Sequence, residues 1–428
     1  MDVMEEQSNT ARGHGFFRIA GLGVASALAG TALLGAGSSA LAAYFARRII
    51  TPDRVKSEEE ELLAVVQGER GPEAIFHATA ENTVEGVYSF HFDGSAGLAR
   101  IGRITSYSPL EGTVQREVEE VYSGSLDRVR WGRWGGATYP DPAALGFDFS
   151  EVTLRDEIGD FPAWLVPAPG PDPGSDEGHR KHAAPGGQEV WAIMVHGRGA
   201  TRMEGLRALP VVQELGLNSL LISYRNDGDA PAADAGRYGL GSTEWREVEA
   251  AIAYALDHGA TDVVLFGWSM GGAVSLQAAD LARNRHAIRA LVLDAPVIDW
   301  VDVLAFQARL NRIPAEVGRY GQFMLSHPLG RRLTGLSAPV DLKSMDWVSR
   351  SIELRTPTLI LHSVDDDFVP FGPSEKLAEK NPEMVTFVPF RLAGHTREWN
   401  VERERWEATV REWLAAQLEE RKGPSAAV

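Results

Sequence analysis

Residues 267–272 read Gly-Trp-Ser-Met-Gly-Gly, preceded by the apolar run Val263–Phe266 and followed by Ala273-Val274-Ser275-Leu276-Gln277-Ala278-Ala279. A buried strand that turns at once into a helix leaves room for one residue at the bend, and here that residue is Ser269. The turn is sharp enough to bring neighbouring backbone too close for a Cβ, which is why glycine stands two residues away on each side. The strand before and the helix after turn a common short pattern into the expectation of an exposed, nucleophilic serine.

Composition narrows the remaining chemistry. The net charge is −17 and no long basic stretch interrupts the acidity. Nucleic acid is therefore not an expected partner, because phosphate binding needs a basic footprint. The absence of cysteine excludes disulfides, thiolate metal sites and a cysteine nucleophile. The 11 histidines show no ligand spacing such as His-Glu-x-x-His, so a metal is not expected.

From Ile19 to Ala46 run 28 residues without a charge. As a helix they would extend about 42 Å, enough to cross a bilayer with tilt. Ala40-Leu41-Ala42 offers a competing reading as a signal-peptidase site, but Arg47 and Arg48 follow at once and oppose export. We therefore expect residues 1–48 to be a tail and an uncleaved single-pass anchor in the cell membrane. Four basic residues follow the segment (Arg47, Arg48, Arg54, Lys56) and two precede it (Arg12, Arg18). That asymmetry favours the cytoplasmic face for the rest of the chain.

Residues 49–147 read as a small β-rich domain. Glu58–Glu61 is an acidic run expected to be a solvated linker or helix start. Val87–Phe92, Ile101–Tyr107 and Thr113–Tyr122 alternate as strands between Asp93-Gly94, Pro109 and Gly124. No chemistry is visible there, and packing against a neighbour is the expected role.

From residue 148 to 421 the pattern becomes regular. Val152–Leu154 and Ala163–Val166 form a first strand pair, then a Pro/Gly-rich exposed loop covers Pro167–Gln188. Strands are expected at Val190–Val195, Ser219–Tyr224, Val263–Phe266, Ala290–Asp294, Thr358–His362 and Val385–Phe390. Helices are expected at Leu206–Leu215, Thr243–His258, Met270–Arg283, Ser374–Glu379 and Arg397–Leu418. Near-continuous apolar strands with helical crossovers imply an α/β fold with a mostly parallel sheet covered on both faces. Between Ala295 and Thr356 the connection is too long for a simple crossover. Within it Val301, Leu304, Ala305 and Ala308 share one helical face, as do Val317, Tyr320, Gly321 and Met324. A helical lid insertion over residues 297–350 follows.

A serine needs a base, an orienting acid and oxyanion donors. His395, after Gly394 and the last strand, is the candidate base. The candidate acid is Asp366, in a His-x-x-x-Asp-x-x-Val-Pro pattern ending at Pro370. Asp365 and Asp367 are alternatives, and Asp294 is a more distant rival. Backbone N–H groups of Met270 and of Arg198, in His196-Gly197-Arg198-Gly199, are the candidate oxyanion donors. The Arg198 side chain reads either as a contact for an anionic substrate group or as a solvent-facing arginine.

As a set, His-Gly-Arg-Gly, Gly-Trp-Ser-Met-Gly-Gly, the Asp366 segment and Gly394-His395 resemble the α/β-hydrolase family over about Phe149–Glu420. The similarity is to its monoacylglycerol lipase, carboxylesterase and oligopeptidase-like branches. Tyr224-Arg225-Asn226-Asp227 and Glu244-Trp245-Arg246 look similar to segments of membrane-anchored bacterial hydrolases of this family, without an assignable chemistry. The resemblance implies an eight-stranded sheet, no cofactor, and acyl-enzyme hydrolysis by Ser269, Asp366 and His395. The expected activity is a serine esterase or lipase-like one on a small or lipidic acyl substrate. The alternatives are an oligopeptidase-like serine peptidase and a non-catalytic binding protein that keeps the fold.

Overall fold

The computed structural model describes residues 39–53, 56–170 and 189–420. Two β-structures are joined in it. The first is a closed barrel of six strands: β1 (Glu60–Gln67), β2 (Pro72–His77), β3 (Tyr88–Phe92), β4 (Gly97–Ser108), β5 (Thr113–Ser123) and β6 (Trp131–Gly135). Their order is β1-β2-β5-β4-β3-β6, and β6 closes back on β1 through Glu60↔Gly132 and Glu61↔Trp131. Register shifts along β4 and β5 curl the long hairpin around the core. That core is aromatic: Phe76, Tyr88, Phe90, Phe92 and Trp134 are all buried.

Three barrel strands escape the sequence reading. The acidic run Glu58–Glu61 leads into β1 instead of a helix or linker, and β1 buries only Leu62 fully, so no alternation marks it. β2 starts at Pro72, a position a strand tolerates because the missing N–H falls at its end. β6 holds two glycines among five residues.

The second structure is an eight-stranded sheet. Its strands are β7 (Ser150–Asp156), β8 (Gly159–Val166), β9 (Glu189–Val195), β10 (Asn218–Ile222), β11 (Ala260–Trp268), β12 (Ile288–Asp294), β13 (Thr358–Ser363) and β14 (Val385–Phe390). The order is β14-β13-β12-β11-β9-β10-β8-β7. β9 to β14 pair in parallel, while β8 runs antiparallel to both β10 and β7. Alternate residues of the central strands feed two cores. On β9, Trp191, Ile193 and Val195 join one apolar cluster, and Val190, Ala192 and Met194 join the other. This two-sided burial is why these strands read as continuous apolar runs.

Helices cover both faces: α2 (Leu209–Glu214), α3 (Trp245–Asp257), α4 (Met270–Leu281), α5 (Trp300–Leu310), α6 (Ala315–Ser326), α7 (Arg331–Thr334), α8 (Gly372–Lys380), α9 (Glu398–Val401) and α10 (Arg403–Glu420). α5 to α7 lie in the long connection between β12 and β13. Trp300, Val303, Leu304 and Ala308 are buried on α5, whereas Val301 is exposed, so its apolar face is rotated from the expected one. Tyr320 on α6 is likewise exposed. The expected last helix breaks at Glu402. The Asn400 carbonyl there accepts the Val87 N–H at 3.1 Å, which ties it to the barrel instead of a continuing helix.

The N-terminal segment departs most from expectation. Residues 39–50 form a helix, α1, whose Ala42, Phe45, Ala46 and Ile50 are buried. Phe45, Ala46 and Ile50 belong to the same core as α3, α5 and the sheet, and Ala42 packs with Val317 and Met324 of α6. The end of the expected membrane span is therefore docked on protein, which also buries Ala42 of the alternative cleavage site. Residues 19–38 of that span and most of the Pro167–Gln188 loop lie outside the described residues. Among the described residues no helix is long and apolar enough to cross a membrane.

One buried group makes barrel stability pH-dependent. Burial, then Arg133, Lys56 and Arg397, push the His91 imidazole down to about 3. Between that value and its ordinary ~6.5 the unfolded chain binds a proton that the folded barrel does not. Stability therefore falls as pH is lowered through this window, by up to ~1.4 kcal/mol per pH unit. In thermal melts from pH 7 to pH 4, the midpoint of the wild type should drop relative to His91→Gln as acidity increases. A constant offset between the two would mean that His91 does not carry this proton linkage.

Candidate active site

The sequence of β11 sets the site. Ser269 follows its last residue with φ 52° and ψ −116°, a conformation that a non-glycine residue holds only when its surroundings impose it. Its N–H donates to the Asp294 carbonyl at 3.0 Å, and its own carbonyl accepts from Gly272 and Val297. The elbow is crowded: a Cβ on Gly271 would stand 2.1 Å from the Val195 carbonyl oxygen, and one on Gly267 2.6 Å from that of Gly271. Glycine at both positions is what lets α4 start directly behind the serine.

The loops after β13 and β14 bring the expected partners to it. His395 Nε2 lies 2.8 Å from Ser269 Oγ, and His395 Nδ1 lies 2.8 Å from Asp366 Oδ2. Of the four acidic candidates, only Asp366 makes this contact. Asp365 instead accepts the Leu392 N–H at 2.8 Å, Asp294 accepts the Trp406 indole at 2.7 Å, and Asp367 lines the cavity outside. Asp366 Oδ1 takes the N–H groups of Phe368 and Val369 at 2.8 and 2.9 Å. Burial opposes charge on Asp366, but the imidazoles of His395 and His362 outweigh it and hold the carboxyl well below the usual range.

His362 was visible only as the first letter of the His-x-x-x-Asp pattern. Its Nε2 lies 3.1 Å from both Asp366 Oδ2 and the Val369 carbonyl, and its Nδ1 lies 2.9 Å from Ser374 Oγ. Since both neighbours of Nε2 accept, that nitrogen carries the hydrogen and pins the acid in place.

The loop after β9 faces the serine. Gly197 donates its N–H to Glu204 at 2.7 Å, and Gly199 donates to Asp227 and Tyr238 at 3.1 Å each. The Arg198 N–H lies between these two, and that of Met270, first in α4, has no intrahelical acceptor. Residues noted in the sequence without a chemistry prove to support this loop. The Tyr224 hydroxyl donates to the His196 carbonyl at 3.0 Å, and Asp227 also accepts the Tyr238 hydroxyl. The Arg198 guanidinium, largely buried, is held by backbone carbonyls of the N-terminal segment. It donates to the carbonyls of Arg48, Ile49 and Thr51 at 2.7–2.8 Å, satisfying the free end of α1.

Two cavities meet at Ser269. A polar one of about 550 Å³ is lined by His395, Asp367, Glu204, Arg397 and, from the barrel, Glu81 and Tyr88. A more apolar one of about 500 Å³ is lined by Phe45 and Ile49 of α1, Trp300, Val303 and Leu304 of α5, and Phe368. The barrel thus reaches the site, a role with no trace in its sequence. Buried Arg116 makes this possible by donating to the carbonyls of Asn82, Val84 and Gly86 at 2.7–2.9 Å, which fixes the loop that enters the polar cavity.

Residues 211–421 match the model of the prolyl oligopeptidase family, and residues 61–135 match a domain of unknown function, DUF8805. The chain is 23% identical over 235 residues to the uncharacterized protein YqkD of Bacillus subtilis (strain 168), an overlap of 54% of this chain and 73% of that protein. Solved structures with similar architecture include the Pyrococcus furiosus esterase Pf2001, 18% identical with a TM-score of 0.47, over 65% of this chain and 94% of that one. Another is a thermophilic esterase from Thermogutta terrifontis, 20% identical with a TM-score of 0.40, over 63% of this chain and 99% of that one. The family match over residues 211–421, taken with the sheet order and the serine at the elbow, supports a serine hydrolase of the α/β-hydrolase family.

Proposed function

We propose that the protein hydrolyses carboxylic esters of apolar acyl groups through an acyl-enzyme on Ser269. The observation that carries this reading is the 2.8 Å contact of His395 with a serine standing where an apolar and a polar cavity join. Ser269 Oγ adds to the ester carbonyl while its proton passes to His395 Nε2. The N–H groups of Met270 and Arg198 receive the oxyanion. His395 then returns the proton to the departing alcohol oxygen as the C–O bond breaks. Water repeats the cycle on the acyl-enzyme, releasing the acid and restoring the serine. Asp366 holds the imidazole tautomer and stabilises its charged form.

The match to the prolyl oligopeptidase family supports a second reading, cleavage of short peptides, with the barrel loop limiting access to the polar cavity. Ester and aminoacyl-amide substrates compared on one preparation separate the two.

The uncharged stretch that leads into α1 supports a membrane-tethered enzyme with its catalytic part at the cytoplasmic face. The full chain should stay with membranes through a carbonate wash, and protease added outside right-side-out vesicles should spare it. Release by carbonate, or digestion from outside, overturns this placement.

A fluorophosphonate probe should label the wild type and fail on Ser269→Ala. Labelling that persists in the variant, or is missing from wild type, removes the enzyme reading. His395→Ala should lower kcat by roughly 10³–10⁶ with nitrophenyl butyrate; a loss below about tenfold means another base is used. Across nitrophenyl esters from acetyl to octanoyl, kcat/KM should rise by up to ~4-fold per methylene that enters the apolar cavity. Ile49→Trp, which fills that cavity from α1, should cut the gain for octanoyl by at least about tenfold while sparing acetyl. An unchanged chain-length profile in the variant would show that the acyl group lies elsewhere.

A further inference from the structure

A third cavity, about 170 Å³, opens between the barrel and the loop after β9. It shares Arg198, Ala200, Glu204 and Arg397 with the walls of the polar catalytic cavity, so the two are neighbours. Its walls bring together Lys56, Arg133 of β6, and Arg397, two residues after His395. Among the described residues none of these three forms an ion pair or a side-chain hydrogen bond, and Arg133 Nε is buried without a partner. Buried Arg116 and Arg207 each donate to several acceptors, and Arg202 and Arg225, which also leave one nitrogen without a hydrogen-bond partner, sit in ion pairs.

The nearby acids make their direct contacts with other groups. Glu204 gives its oxygens to the Gly197 N–H and to Arg207. Glu58 accepts the Gly94 N–H, and Asp227 is held by Tyr238 and Gly199. Asp53 lies beside Arg48 and Arg198. Burial and the adjacent Arg397 push the Arg133 guanidinium below its ordinary value, and burial, helped by the same cations, pushes the His91 imidazole down. Like charges gathered in a half-buried cleft are unfavourable unless an anion sits among them.

We infer that Lys56, Arg133 and Arg397 bind a phosphate or carboxylate group carried by the leaving-group portion of the substrate. The assignment to the leaving group rests on the ester-hydrolase reading. His395 must hand its proton to the departing oxygen, and His395 lines the polar cavity but not the apolar one. The acyl chain then lies between α1 and α5, and the alcohol carries its anion toward the barrel. Two guanidinium forks and an ammonium suit an oxyanion with several acceptor oxygens. The enzyme would select amphiphilic esters, apolar at the acid and anionic at the alcohol.

Butyryl esters of 4-hydroxyphenyl phosphate, 4-hydroxybenzoate and neutral 4-hydroxybenzamide test this, with each rate normalised to alkaline hydrolysis. At least one anionic ester should exceed the neutral one in kcat/KM by about tenfold or more, mainly through KM, as expected of a charge-assisted contact. Which of the two is preferred distinguishes phosphate from carboxylate. The ratio of anionic to neutral kcat/KM should fall at least about tenfold in Arg133→Gln and in Lys56→Gln, the latter at an exposed position that leaves folding intact. A ratio near one in the wild type, or one that survives both substitutions, overturns the inference. Inorganic phosphate and acetate, titrated in thermal melts, give a readout independent of turnover. One of them should raise the melting midpoint of the wild type and not of Arg133→Gln. If that holds while no ester is cleaved, the ester reading fails and the anion site stands; if neither ion stabilises the wild type, the site itself fails.

Discussion

The guanidinium of Arg207, completely buried, is the point through which the parts of this molecule are held in register. It donates to the Thr396 carbonyl at 2.6 Å, one residue past His395, and to Asn400 Oδ1 at 3.2 Å. It also pairs with Glu204 at 3.2 Å, and Glu204 in turn fixes the Gly197 N–H. Asn400 then donates to the Val87 and Gly136 carbonyls of the barrel at 2.6 and 3.0 Å. One charge therefore fixes the histidine loop, the loop after β9 and the barrel relative to one another. Such a group is retained because removing any partner would leave a buried charge unpaired.

Around that point the site divides according to what surrounds it. The apolar cavity is made where α1 and the α5–α6 insertion pack over the strand ends. The polar cavity is made where the barrel comes down on the histidine loop. Neither β-structure supplies both. The six-stranded unit is thus a working part of the pocket, although the serine's hydrogen-bond partners His395, Asp294, Gly272 and Val297 all come from the unit built on the larger sheet.

The strands that frame the serine were legible because they are buried on both faces; β9 from Val190 and β11 from Val263 have no polar interval to confuse the reading. Ser269 and His395 were legible because chain position and glycine punctuation mark them. Choosing Asp366 among its neighbours needed the pattern with His362, whose ring the structure shows against the carboxylate. What stayed hidden depends on tertiary contacts. β1 has one fully buried residue, so its pairing leaves no pattern. The Arg198 side chain finds its acceptors 147 to 150 residues away. Apolar residues at the end of a long uncharged stretch look the same whether lipid or protein covers them, and one face of α1 is covered by protein.

That last contact changes where the catalytic unit begins. The end of α1 satisfies the side chain of a residue in the loop facing Ser269, and its flank walls the apolar cavity. A polypeptide starting at β7 would keep Ser269, Asp366 and His395 and still lack both features. The barrel accordingly reads as an insertion between the first helix of the hydrolase and its first strand, and the smallest complete enzyme is discontinuous in sequence.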